Sequence, residues 1–101
     1  MFSVVKRDGK DADFNLTKIN DAIMKAFNAT DVQYNNDIID LLALRVTADF
    51  QKKMNENRVH VEDVQDSVER VLEQAGYTEA AKAYILYRKQ REKLRTMKST
   101  I

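Results

Sequence analysis

The stretch VVKRDGKDADFNLTKI, Val4 to Ile19, constrains the fold of this chain more than any other. It is entered through a run with strand character, Phe2 to Arg7, with Phe2, Val4 and Lys6 on one face and Ser3, Val5 and Arg7 on the other. Asp8-Gly9 follows, a dipeptide suited to the positive φ angles of a tight hairpin turn. A short returning strand, Lys10 to Phe14, leads to Asn15, placed to cap a helix whose apolar residues recur at Ile19, Ala22, Ile23, Ala26 and Phe27. Strand, turn, strand and capped helix bring Lys6, Arg7, Asn15 and Lys18 near one another. Cations beside a helix N-terminus suit a polyphosphate, because free N–H groups and the helix dipole add to the side-chain charge. Solvated hairpin cations and a plain helix cap are the alternative that these residues leave open.

A lone two-stranded hairpin is marginal in water, so it must lean on helices. The rest of the chain supplies them. The first runs from about Leu16 to Phe27 and is followed by a polar linker from Asn28 to Asn36. Asn35 or Asn36 can cap a second helix, about Asp37 to Met54, which is apolar over more than half its circumference and is expected to be the central buried helix. Asn55-Glu56-Asn57 breaks that pattern, and Arg58-Val59-His60-Val61 reads as a third short strand laid against the hairpin. A third helix, about Glu62 to Ala75, aligns Val61, Val64, Val68, Val71, Leu72 and Ala75 on one face and ends at Gly76. Thr78 caps a fourth, about Glu79 to Lys98. The expected fold is α+β: a small three-stranded β element, hairpin plus short third strand, capping a four-helix bundle. With 101 residues and no proline, internal repeat or low-complexity tract, one domain is expected, residues 1–101.

Composition removes several kinds of chemistry. The chain has no cysteine, so it has no disulfide, thiolate metal site or cysteine radical. The one histidine, His60, has no second histidine or cysteine to share a metal, and no catalytic triad can be built on it. Two glycines, Gly9 and Gly76, cannot make a GxxxxGK or GxGxxG loop. Pairs such as Asp11 with Asp13 and Glu62 with Asp63 look solvated. No catalytic residue and no metal ligand is therefore assigned. No apolar run of about eighteen residues occurs, so no membrane partner is expected. The start lacks a signal peptide's apolar core, which points to the cytoplasm. Residues 76–101 hold 7 Lys/Arg against 2 Asp/Glu, while residues 1–75 hold 10 against 14. Cations late in a helix complement its dipole; they also suit phosphate or an acidic partner. On the fourth helix Tyr84 with Arg88 and Tyr87 with Arg91 are four apart, so each pair can set a ring beside a guanidinium. The same spacing serves rings that fill the core while the arginines reach water.

V-x-K-R-D-G followed by F-N-L-x-K-I resembles the opening of an ATP-cone, the nucleotide-sensing domain of many ribonucleotide reductases. V-E-D-V-Q-D-x-V-E-x-x-L with E-A-A-K-A-Y-I-L-Y-R-x-x-R is similar to its second half. The tail R-E-K-L-R-T-M-K-S-T resembles the segment leaving the cone in anaerobic ribonucleoside-triphosphate reductases, so residues 93–101 are expected to begin a linker to a catalytic domain. The resemblance implies a domain without chemistry of its own that binds ATP or dATP with Mg2+. It would regulate the parent enzyme by linkage, with self-association through cones as a further expectation. Carried over by position, Val4 lines the pocket, and Lys6 and Arg7 meet the phosphates. Asn15 and Lys18 complete the cradle, with Ile19 packing below. His60 and Val61 lie near the base. Arg88, Lys89 or Arg91, beside Tyr87, supplies a late-helix charge where some relatives place a lysine and this chain has Gln90. Lys25 and Lys52 are placed on faces away from the site. Two other readings stay open. One is the cone of a transcriptional repressor of reductase genes, although that repressor's zinc ribbon needs cysteines absent here. The other is a helical module whose basic last helix binds acidic protein or nucleic acid, a partner the cone reading does not call for.

Overall fold

The structure is a computed structural model and describes residues 2–99. Three short strands, β1 (Ser3–Val5), β2 (Asp11–Asp13) and β3 (Arg58–His60), form one sheet in the order β2-β1-β3. β2 runs antiparallel to β1 with Val4 opposite Ala12, and β3 runs parallel to β1 with Val4 opposite Val59. A parallel neighbour needs a long crossover. Two helices supply it: α1 (Leu16–Asn28) and α2 (Asn36–Phe50), the latter running on into a 3-10 turn at Gln51–Lys53. α3 (Val61–Gln74) and α4 (Thr78–Ser99) complete the chain. The helices close a cycle in which α1 packs on α2, α2 on α3, α3 on α4 and α4 on α1. This is the expected α+β fold, with the sheet at one end of a four-helix bundle.

Local signals explain most boundaries. Asn15 Oδ1 accepts from the Thr17 N–H at 3.0 Å and starts α1. Asn35, the first of the two expected caps, accepts from the Ile38 N–H at 2.9 Å and starts α2. Gly76, at φ 88°, ends α3: its N–H reaches the Glu73 carbonyl at 3.0 Å, and the Tyr77 N–H reaches back to Leu72 at 2.9 Å. Those two bonds make a Schellman cap, which favours glycine at this left-handed position. The sheet is anchored by rings. Phe2 stacks on Phe14 with centroids 4.4 Å apart, and each meets the edge of Phe50 at 5.8 Å. Such pairs add about 0.5–1.5 kcal/mol each beyond the area they bury.

Three expectations need correction. The hairpin loop is not the two residues Asp8-Gly9. The Gly9 N–H bonds the Lys6 carbonyl at 2.9 Å, the Lys6 N–H bonds Lys10 at 2.8 Å, and only Gly9, at φ 84°, is left-handed. The loop is therefore Arg7-Asp8-Gly9, a turn followed by one left-handed glycine, and Arg7 sits in the turn instead of on a strand face. Second, α2 is buried on one side only. Ile39, Leu42, Ala43, Val46 and Phe50 face the core, while Leu41 and Leu44 are 59% and 58% exposed. The helical period of the first set already fills the stripe that faces the neighbours. Third, α2 stops at Phe50, not Met54. The chain then turns at Glu56-Asn57, both left-handed, where Asn55 and Arg58 exchange two backbone bonds and aim β3 at the sheet. Of the stretch 93–101 expected to leave the domain, residues 93–99 continue α4; residues 100–101 lie outside the described residues.

Candidate functional site

A groove of about 410 Å³ lies where the hairpin loop, α1, the start of α3 and the second half of α4 meet. Seven of its lining side chains are cationic and two are carboxylates. The hairpin contributes Lys6 and Arg7. α1 contributes Lys18 and Lys25 with Asp21 and Ala22 between them, a face set by i, i+3, i+4, i+7 spacing. The opposite face of α1, Ile19, Ile23, Ala26 and Phe27, is buried. On α4, Tyr84, Arg88, Arg91 and Arg95 follow the same helical rule, joined by Tyr87 and Glu92. α3 adds Val61 and Gln65 from its first turns.

The cations are held in different ways. Arg88 Nη1 donates to Asp66 Oδ1 and to Glu69 Oε1, each at 2.8 Å, and its side chain is only 18% exposed. Burial is the largest single influence on this guanidinium and works against its charge, yet the hydrogen bonds and negative charges of Asp66 and Glu69 together outweigh it and raise its pKa. Beneath it, Tyr84 is buried, and that burial pushes its phenol up to about 12. Arg7 is held loosely. Its Nη1 stands 3.6 Å from Glu62 and 3.7 Å from Glu92, and its Nη2 is 3.4 Å from Gln65 Oε1. Neither Lys6 nor Lys18 has an ion pair among the described residues. Lys25 Nζ and Arg91 Cζ lie 5.6 and 5.9 Å from the centroid of the half-buried Tyr87 ring, within cation–π range.

Seven of the eleven residues singled out from the sequence line this groove: Lys6, Arg7, Lys18, Val61, Tyr87, Arg88 and Arg91. Four do not. Val4 is partly buried on β1 against the core, and Ile19 belongs to the core itself. Asn15 spends its side-chain oxygen on the α1 cap. His60 is exposed at the end of β3, in the N-cap position of α3, and makes no capping bond. Lys25, placed away from the site by the sequence reading, is part of it; Lys52 lies elsewhere, 4.0 Å from Asp49 on α2. Among the polar lining, sequence reading missed Asp21, Lys25, Gln65, Glu92 and Arg95. Lys25 and Arg95 were signalled by the Lys18-to-Lys25 step of seven and the Arg91-to-Arg95 step of four, which repeat the faces already chosen.

The groove can hold an elongated polyanion along its cationic walls and a flat apolar group against Val61, Ala22 and Tyr87. Among the described residues no group of three or more His, Cys, Asp or Glu is placed to hold a metal, and no helix is long and apolar enough to cross a membrane.

A family model for the ATP cone domain matches residues 2–93. The chain is 39% identical over 105 aligned positions to the ribonucleoside-diphosphate reductase subunit alpha of Chlamydia pneumoniae, covering 97% of this chain and 10% of that protein. It is 33% identical to the vitamin B12-dependent ribonucleoside-diphosphate reductase of Mycobacterium tuberculosis, covering 97% of this chain and 13% of the relative. It is also 33% identical to the anaerobic ribonucleoside-triphosphate reductase of Escherichia coli, covering 88% of this chain and 12% of the relative. The chain thus spans between a tenth and a seventh of the length of these curated relatives. Comparable identity to three differently named reductases does not single out one of them.

Proposed function

The chain belongs to the ATP-cone family, and from that premise we propose that it is a non-catalytic regulatory domain that binds ATP or dATP in the groove and reports nucleotide levels to a ribonucleotide reductase. The observation that carries this is the convergence of seven cationic side chains from the hairpin, α1 and α4 on one groove. Lys6, Arg7 and Lys18 take the triphosphate, with Arg91 closing the far wall. The base lies toward Val61 and Tyr87, the apolar part of the lining. Mg2+ arrives on the phosphate oxygens, consistent with a lining that offers only Asp21 and Glu92 as carboxylates. Regulation follows from linkage: a nucleotide that binds two assemblies of the parent with different affinity shifts the balance between them by that difference. The catalytic domain of the parent, and self-association through cones, are the partners this mechanism calls for. The cytoplasm, where nucleotide pools are used, is the proposed location.

Calorimetric titration with ATP, dATP and GTP in magnesium tests the reading. ATP or dATP binds in preference to GTP, and nucleotide at a hundred times its Kd stabilises the fold by about 2.7 kcal/mol. Absence of heat at millimolar nucleotide, with an unmoved melting temperature, overturns it.

A further inference from the structure

Arg7 has two carboxylate neighbours that both stand beyond hydrogen-bond length, at 3.6 and 3.7 Å. The two are not equivalent. Glu62 lies in the first turn of α3, where the helix dipole favours it, and does not line the groove. Glu92 does line the groove. It projects from α4 between Arg88, Arg91 and Arg95, and its side chain is 59% exposed. A negative group has thus been set inside a cationic groove, against the cation at the tip of the hairpin. Its cost to any anion that enters is a like charge and a partner already engaged.

We infer that Glu92 is an internal competitor of the groove's anionic ligand: its carboxylate engages Arg7 in the free domain and is expelled when phosphate oxygens take Arg7 over. This rests on the nucleotide reading above only for the identity of the ligand. The loose contact makes expulsion cheap, because a pair beyond hydrogen-bond length whose carboxylate is 59% exposed contributes little. A triphosphate carries several charges and can make short charge-assisted bonds to the same guanidinium. Glu92 therefore lowers the affinity of an anion that uses Arg7 by the modest worth of that contact.

The experiment is a double-mutant cycle on the whole chain, using Glu92→Gln, Arg7→Ala and both together. Each protein is titrated with magnesium ATP and, separately, with inorganic tripolyphosphate. Glu92→Gln is expected to tighten both probes about two- to fivefold, the scale of an exposed pair. The gain is expected to vanish in the Arg7→Ala background. An unchanged or weakened affinity in Glu92→Gln overturns the inference, as does an equal gain with and without Arg7, which would be general charge. The two readings fail separately. If ATP binds none of the four proteins while tripolyphosphate shows the Arg7-dependent gain, the competitor stands and the nucleotide assignment falls. If ATP binds and Glu92→Gln gains nothing, the reverse holds. If neither probe binds any of the proteins, both fall.

Discussion

Arg88, on the seam between α3 and α4, and Arg7, at the tip of the hairpin, face one groove from regions built in different ways. The seam is packed and paired. Tyr84 is buried under it, and Asp66 and Glu69 each hold Arg88 at 2.8 Å. The hairpin rim is loosely paired: among the described residues Lys6 and Lys18 have no ion pair, and Arg7, its side chain 23% exposed, meets its carboxylates only at 3.6–3.7 Å. Cations that look alike in the sequence therefore do different work. Those on the seam hold two helices together, and those on the rim are available to a ligand. Family resemblance left the late-helix charge to Arg88, Lys89 or Arg91; Arg88 is engaged by Asp66 and Glu69 and Lys89 does not line the groove, which leaves Arg91 as the stronger source.

The largest effect should come from the rim. Lys6→Ala and Lys18→Ala should each weaken nucleotide binding about ten- to a hundredfold, since a charged hydrogen bond contributes roughly 1.5–3 kcal/mol. The melting temperature without ligand should stay where it is. Lys25→Ala belongs with them, at smaller magnitude, because its ammonium also faces Tyr87. Lys52→Ala, remote in the 3-10 turn that follows α2, is the control. Equal losses from all four would reduce the rim to general charge.

On the seam the order reverses. Arg88→Ala should lower stability by about 2 kcal/mol in chemical denaturation, because Asp66 and Glu69 lose their shared partner. A variant of wild-type stability that binds poorly would erase the distinction between the two regions.

Alkali sharpens it further. Burial raises the Tyr84 phenol from 10 to about 12, so the folded state favours its protonated form. That contribution is complete below pH 10 and is lost as pH rises from about 10 to about 12. Melting temperatures should fall across this window, and less steeply in Tyr84→Phe. An equal fall in both proteins would place the alkaline weak point elsewhere.

The smallest effect concerns the turn that carries Arg7. A Cβ added at Gly9 would meet nothing within 4 Å, so the only penalty is the backbone at φ 84°. Gly9→Val should cost about 1 kcal/mol or more and Gly9→Asn distinctly less, because asparagine tolerates the left-handed region. Equal losses would mean that the side chain, not the backbone, sets the cost.

The parts of this fold legible in the sequence are those decided within a few residues. The Asn15 and Asn35 caps and the Gly76 stop are satisfied by donors and acceptors two to five positions away. The buried stripes of α1 and α3 follow from helical period alone. Family resemblance added a site, of which seven residues line one groove. What local pattern could not decide is which faces meet. Lys18 and Lys25 share a face of α1 by spacing, yet only the packing of α1 on α4 turns that face toward Tyr87. Leu41 and Leu44 look like core by composition, and only the packing of α2 on α1 and α3 leaves them outside. The difference between Arg7 and Arg88 belongs to tertiary structure too. Charge type is written in the sequence. The strength of an ion pair depends on distance and burial, and those exist only once α3 and α4 have closed against the hairpin.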